Sequence, residues 1–377
     1  MKIFDSVLMK KSSKKTNYIL LVTALTLVAI GLLFVYSASF YTAQKNTGNK
    51  FFYFTKQALG AFVGLVAMFF CSFLSKDFLK KFAIPLSIVS AVLLGLVLVP
   101  GIGMENYGAR RWIGVGSFSF QPSEIAKFAL VLFSAWYASL PNVDMKKFKN
   151  TLPILGVGCL FCVLIILEPN MSITVCVGIV MVVLFFISGA KLKHFCLILA
   201  PLLLAVPVLI FAEPYRIKRL LAFLDPWATP KDEGYQLIQS LYALGSGGWF
   251  GVGLFKSRQK YSFLPFAESD FVFSIIGEET GLFGCLLVLL LFCLIIFEGI
   301  KISVNSMDIF DSVLAGGITA VIGVQASINF AVVTGLIPPT GLPLPFVSFG
   351  GTSLVVFMSA IGLLQGIYKR NIQNLTL

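Results

Sequence analysis

The residues with chemistry to offer gather between Lys256 and Glu279. Lys256, Arg258 and Lys260 lead through Pro265 to two acids, Glu268 and Asp270, where a long apolar run begins. Two more acids, Glu278 and Glu279, fall inside that run. Carboxylates at or below a membrane boundary are costly and mark functional sites. A carboxylate beside a hydroxyl is a general base, and nearby Arg and Lys would grip an anion. Ser269-Asp270 has a second reading, because both residue types cap helix N-termini. Glu278 would lie about 12 Å below Asp270 at 1.5 Å per residue, too deep to share its contacts. Glu278 and Glu279 are therefore expected to pair internally, with Lys127 as a candidate partner.

Other polar groups stand where the chain leaves apolar runs. Arg110-Arg111-Trp112 reads either as an interfacial anchor or as an anion site. Pro122 suits a first helical turn, and Glu124 suits its positive end. Lys127, one turn deeper, either snorkels outward or pairs inside. Glu168 ends an apolar run with no base beside it in sequence, so it needs a partner from elsewhere or a polar cavity. The run Gly245–Gly253 is either an anion-binding nest or a set of tight turns. Gln325 and Asn329 are spaced i,i+4 inside an apolar run, as interhelical glue or as a cavity wall. Four prolines between 338 and 345, including Pro345, make a rigid, uncharged, non-helical stretch.

The elements that carry these groups follow from composition. Of 377 residues, 58% are hydrophobic and 12% charged, with mean hydropathy +0.92. Apolar stretches long enough to cross a bilayer recur along the chain. They are continuous rather than alternating, so helices are expected. The fold class is therefore all-α, a polytopic integral membrane protein of about ten spans: about 18–40, 51–74, 82–101, 122–140, 153–168, 171–189, 195–212, 270–298, 312–336 and 348–368. A basic tail over 1–17 precedes them, a tail over 369–377 follows, and a large outer loop fills 213–269. Within that loop Arg216, Lys218 and Arg219 open an amphipathic interfacial helix, and Gln239 lies on a second helical stretch.

The net charge of +12 is explained by topology, since cytoplasmic loops collect Lys and Arg; no nucleic acid is expected. The same bias puts both termini inside. Bases on the outer face then run against it, and an anionic, membrane-tethered substrate such as a lipid pyrophosphate supplies the reason. One histidine and seven cysteines, with Cys159 and Cys162 as a lone pair, give no metal quartet or disulfide framework. No metal site and no cofactor are expected; a divalent ion, Mg or Mn, bridging a substrate pyrophosphate stays open.

The chain resembles the SEDS family (shape, elongation, division and sporulation), on its FtsW and SpoVE side. The residues that carry this are Gly108–Ile113 with Gln121–Lys127, Tyr215-Arg216 with Arg219, Asp225-Pro226-Trp227, Gly234–Ser240, Gly251–Leu254, Ser257–Lys260, Asp270–Phe273 with Gly277–Glu279, and Gly341–Ser348. The resemblance covers nearly the whole chain as one domain, 1–377. It implies a peptidoglycan glycosyltransferase that polymerises lipid II into glycan strands on the outer face of the bacterial cytoplasmic membrane, for division or sporulation. It implies as partners lipid II, the nascent strand, a class B penicillin-binding protein and other divisome membrane proteins. The family's essential acid falls on Asp270. The family's conserved lysine falls on Lys127, its outer-loop arginines on Arg216 and Arg219 and its loop lysine on Lys260; Arg110, Arg111, Gln239 and Ser257 are expected to join them in binding substrate, with Glu124, Glu268, Glu278, Gln325, Asn329 and Pro345 in support. The alternatives are a lipid II flippase, or a scaffold that recruits the transpeptidase. The chain departs from the family pattern at Phe266, where a glutamate is usual, at Asn170 in place of an aspartate, and at Phe349 in place of a tyrosine.

Overall fold

A computed structural model of the chain describes residues 16–376, apart from 107, 108, 116, 117 and most of 192–213. The chain folds into helices α1 (Tyr18–Thr47), α2 (Phe52–Cys71), α3 (Lys76–Val97), α4 (Pro122–Ala138), α5 (Phe148–Leu167) and α6 (Met171–Ile187). Helices α7 (Pro214–Leu224), α8 (Tyr235–Gly247), α9 (Val272–Val304), α10 (Ile309–Val333) and α11 (Gly351–Thr376) follow. Among the described residues seven, namely α1, α2, α3, α5, α9, α10 and α11, are long and apolar enough to cross a membrane. Helices α4 and α6, at 17 residues each, stand where two more spans were expected. The expected span 195–212 lies largely outside the described residues, as does most of the N-terminal tail. The protein is a multi-pass, mostly helical membrane protein.

Helix starts follow local chemistry. The side chains of Asn17, Ser75, Asn170 and Asp308 accept from free N–H groups at the starts of α1, α3, α6 and α10, as N-caps do. Helix α10 is enclosed over 61% of its apolar stretch, against 28% in α2. It is the inner post of the bundle, and Gln325 and Asn329 lie on it. Small residues let neighbours close in. A Cβ on Gly64 of α2 would meet Met358 Sδ of α11 at 2.5 Å, and one on Gly362 would meet Met68 O at 2.3 Å.

Two features were absent from the sequence reading. The stretch after α3 is a three-stranded antiparallel sheet, β1 (Gly103–Asn106), β2 (Ala109–Val115) and β3 (Phe118–Phe120), in the order β1-β2-β3. Gly103 pairs with Ile113, and Ile113 with Phe120. The second is a break in α9 at Gly281 (φ 67°, ψ −163°). The glycine-rich stretch after α8 splices into this break. Val252 N and Gly253 N donate to Glu278 O and Glu279 O at 2.9 and 3.1 Å, while Leu282 N donates to Gly248 O at 2.9 Å. Backbone groups inside a membrane must be satisfied within the protein, and this splice does so. A Cβ at Gly251 (φ +80°) would sit 2.2 Å from Glu279 O. The run is therefore built into the fold rather than open to an anion: Gly251 N is bonded to Gly247 O, and Val252 N and Gly253 N to carbonyls of α9.

Candidate active site

Asp270 stands just before α9. That helix begins at Val272, its cap is Phe271, and no side chain caps it. The capping reading of Ser269-Asp270 is thereby removed. Three successive carbonyls of the acid segment are held from one side. Phe349 N donates to Glu268 O at 2.8 Å, the Ser348 hydroxyl donates to Ser269 O, and Asn329 Nδ2 donates to Asp270 O at 2.9 Å. The loop between α10 and α11 comes close to the carboxylate: a Cβ at Gly341 (φ +71°) would lie 3.2 Å from Asp270 Oδ2. Burial pushes the Asp270 carboxyl up to about 6, against opposing pulls from the Ser269 hydroxyl and the charges of Arg219 and Arg111. Burial and the Asp270 charge also raise Glu268. A carboxyl raised toward neutrality at the head of a long apolar helix, within the field of two guanidiniums, is equipped to take a proton beside a bound anion.

The two adjacent arginines separate, because successive strand residues face opposite sides. Arg110 pairs across the sheet surface with Glu105 at 3.1 Å. Arg111 turns inward and donates to the backbone carbonyls of Glu168 and Pro169. Arg219, on α7, donates to Pro339 O at 3.1 Å. The side chain of Arg216 lies outside the described residues. Gln239 is half-buried on α8.

Three expected substrate contacts are instead enclosed. Lys127 is 0% exposed and bonds Glu124 Oε1 at 2.9 Å and the side chain of Gln325. Glu124 also accepts from Ser353 Oγ at 3.0 Å, and Gln325 Nε2 reaches Pro343 O at 2.9 Å. Lys127 thus pairs with Glu124, not with Glu278 or Glu279, because one helical turn brings the i,i+3 partners together. Lys260 is 1% exposed and bonds Glu279 Oε1 at 2.9 Å. Ser37 Oγ and Phe255 N also donate to Glu279, at 2.7 and 2.9 Å. Ser257, fully buried, gives its hydroxyl to Glu278, which also accepts from Arg258 N at 2.8 Å. Glu278 and Glu279 are internal, as the spacing implied, but their partners come from the loop just ahead of Asp270 and, for Glu279, also from Ser37 on α1. Lys260 and Ser257 fasten that loop to α9 and present no free group to a substrate in this conformation.

Glu168 is 0% exposed and neither carboxylate oxygen has a hydrogen-bond partner. Burial pushes it up to about 8, with the Arg111 charge pulling the other way. Among the described residues no three of His, Cys, Asp and Glu group as metal ligands.

The family model described as cell cycle protein, FtsW/RodA/SpoVE, matches residues 17–373. The chain belongs to this family. It is 41% identical to stage V sporulation protein E of Bacillus subtilis over 95% of this chain and 99% of that one. It is 38% identical to a probable peptidoglycan glycosyltransferase FtsW of a Geobacter species over 94% and 97%. Its fold matches a chain of a solved peptidoglycan synthase complex, reported for structural coordination of polymerization and crosslinking, with TM-score 0.77, 29% identity and coverage of 94% and 98%. It also matches the rod shape determining protein RodA of Thermus thermophilus, with TM-score 0.68, 25% identity and coverage of 94% and 97%.

In this FtsW/RodA/SpoVE chain Gln57 and Ser353 carry no functional reading in the sequence, and Ser348 stands there only as the end of the motif Gly341–Ser348. Gln57 is fully buried; its Nε2 donates to Ser348 O at 3.0 Å and its Oε1 accepts from Gly350 N at 3.1 Å. The available signal was a lone amide in the apolar run 51–74, which is costly unless both of its ends are bonded. Ser353 gave no signal of its own.

Proposed function

We propose that this protein polymerises lipid II into glycan strands, with Asp270 as the general base for the acceptor hydroxyl. The observation that carries this is Asp270 itself. It caps nothing, its three flanking carbonyls are held from α10 and the following turn, and burial brings its carboxyl to about 6 beside the charges of Arg219 and Arg111. Those two arginines would hold the substrate pyrophosphate and stabilise it as it leaves. A base with a pKa near the working pH is suited to proton abstraction. The family relatives named for peptidoglycan glycosyl transfer support the same reading.

The sided charge supports placement in the bacterial cytoplasmic membrane with Asp270 outward and both termini inward. The two ends of the described chain meet at one face, where Asn17 N and Gln365 Oε1 lie 3.0 Å apart and Asn17 Nδ2 donates to Glu298 at 2.7 Å. A class B penicillin-binding protein is the proposed working partner, with other divisome membrane proteins around it. A divalent ion, Mg or Mn, would enter with the substrate pyrophosphate, and EDTA titration tests it.

The deciding experiment combines purified protein, its transpeptidase partner and lipid II. Wild type should give polymer and Asp270→Asn none. Equal polymer from both would reject Asp270 as the base. Headgroup transport in liposomes without polymer would replace the enzyme by a flippase, and growth supported by Asp270→Asn would replace it by a scaffold.

A further inference from the structure

We propose that Gln57 is a positioning residue for Asp270, acting through the turn at 348–350. The inference rests on the reading of Asp270 as the base. Gln57 is the inward-facing amide of a helix whose neighbouring residues Leu59, Phe62, Val63 and Val66 are exposed on its outer face. Both ends of the amide are used, and both go to one turn: Nε2 to Ser348 O at 3.0 Å and Oε1 from Gly350 N at 3.1 Å.

That turn is the one that grips the acid segment. Ser348 Oγ accepts from Leu344 N at 2.8 Å and donates to Ser269 O. Phe349 N donates to Glu268 O at 2.8 Å. The Phe349 ring packs edge-on against Tyr53, also on α2, at 5.0 Å between centroids. A continuous path of hydrogen bonds therefore runs from α2 through Ser348 to the residue preceding Asp270. In a low-dielectric interior such bonds are strong when complete and costly when half-made. Removing the amide leaves Ser348 O and Gly350 N without this partner, so the turn must shift to repair itself. The acid segment would shift with it. Displacements of that order cost rate, because a general base must lie within hydrogen-bond reach of its proton.

The test uses the full-length protein with its transpeptidase partner and lipid II, comparing wild type with Gln57→Met, Ser348→Ala, Ser348→Thr, the double variant Gln57→Met/Ser348→Ala, and Asp270→Asn. Gln57→Met and Ser348→Ala should each lower kcat about tenfold or more, with KM kept within about twofold. Ser348→Thr, which keeps the hydroxyl, should recover most of the rate. The double variant should lose little beyond the worse single one, since both act on one path. Wild-type kcat per folded molecule in Gln57→Met and Ser348→Ala, or a loss that only follows the folded fraction on size exclusion, overturns the inference. An active Asp270→Asn would instead overturn the reading of the base. Inactive Asp270→Asn beside fully active Gln57→Met would overturn the positioning role alone.

Discussion

Lys260→Met separates a structural lysine from a substrate-gripping one. Glu279 is enclosed, with its side chain 0% exposed. It accepts from Lys260 Nζ at 2.9 Å, Ser37 Oγ at 2.7 Å, Phe255 N at 2.9 Å and Ser257 N at 3.3 Å. Three of the four donors are neutral. Replacing Lys260 by methionine keeps the stem but leaves the carboxylate without a counter-charge, a loss of about 3–5 kcal/mol for a buried pair. The double variant Lys260→Met/Glu279→Gln removes both charges and keeps an oxygen for the loop N–H groups. It should regain a coupling of about 1–3 kcal/mol. The assay is an unfolding titration in mixed micelles followed by tryptophan fluorescence, run beside polymerisation per folded molecule. The single variant should unfold far earlier, and the double variant should recover stability and rate together. A Lys260→Met protein of unchanged stability but raised KM, with no rescue by Glu279→Gln, would refute this reasoning and put Lys260 on the substrate.

Two further outcomes follow from the carboxylates. With Asp270 pushed up to about 6, the rate should fall on the acid side with an inflection near pH 6. A rate flat from pH 5 to 8, in roughly the range where the base changes charge, would contradict its assignment. Glu168, pushed up to about 8 from an ordinary 4.5, is protonated more readily in the folded chain than in the unfolded one. Its contribution to stability is complete below the ordinary value and is lost as pH rises toward 8. Glu168→Gln should remove that slope and melt higher than wild type at alkaline pH; identical melting curves against pH in the two proteins would refute it.

Apolar run length and continuity were enough to indicate a helical membrane protein, since a bilayer admits few other spanning structures. Capping chemistry is also local, which is why the starts of α1, α3, α6 and α10 coincide with Asn17, Ser75, Asn170 and Asp308. The position of Asp270 at the head of a long apolar run was legible for the same reason.

Partnership was not legible. Lys127 and Lys260 looked alike in sequence, two cations beside membrane acids, and Lys127 was a candidate partner for Glu278 and Glu279. Only folding brought Glu124, Gln325 and Ser353 around one lysine and Glu279 and Ser37 around the other. The break at Gly281 had no visible cause in the apolar run of α9 itself, because the groups that mend it come from another segment, the glycine-rich stretch after α8. Composition thus determined the solvent this chain lives in and roughly where its long helices run. Long-range hydrogen bonding decided which buried charges are neutralised: it gave Lys260 to Glu279 of α9 and left Asp270 at the helix start with the Ser269 hydroxyl and the charges of Arg219 and Arg111.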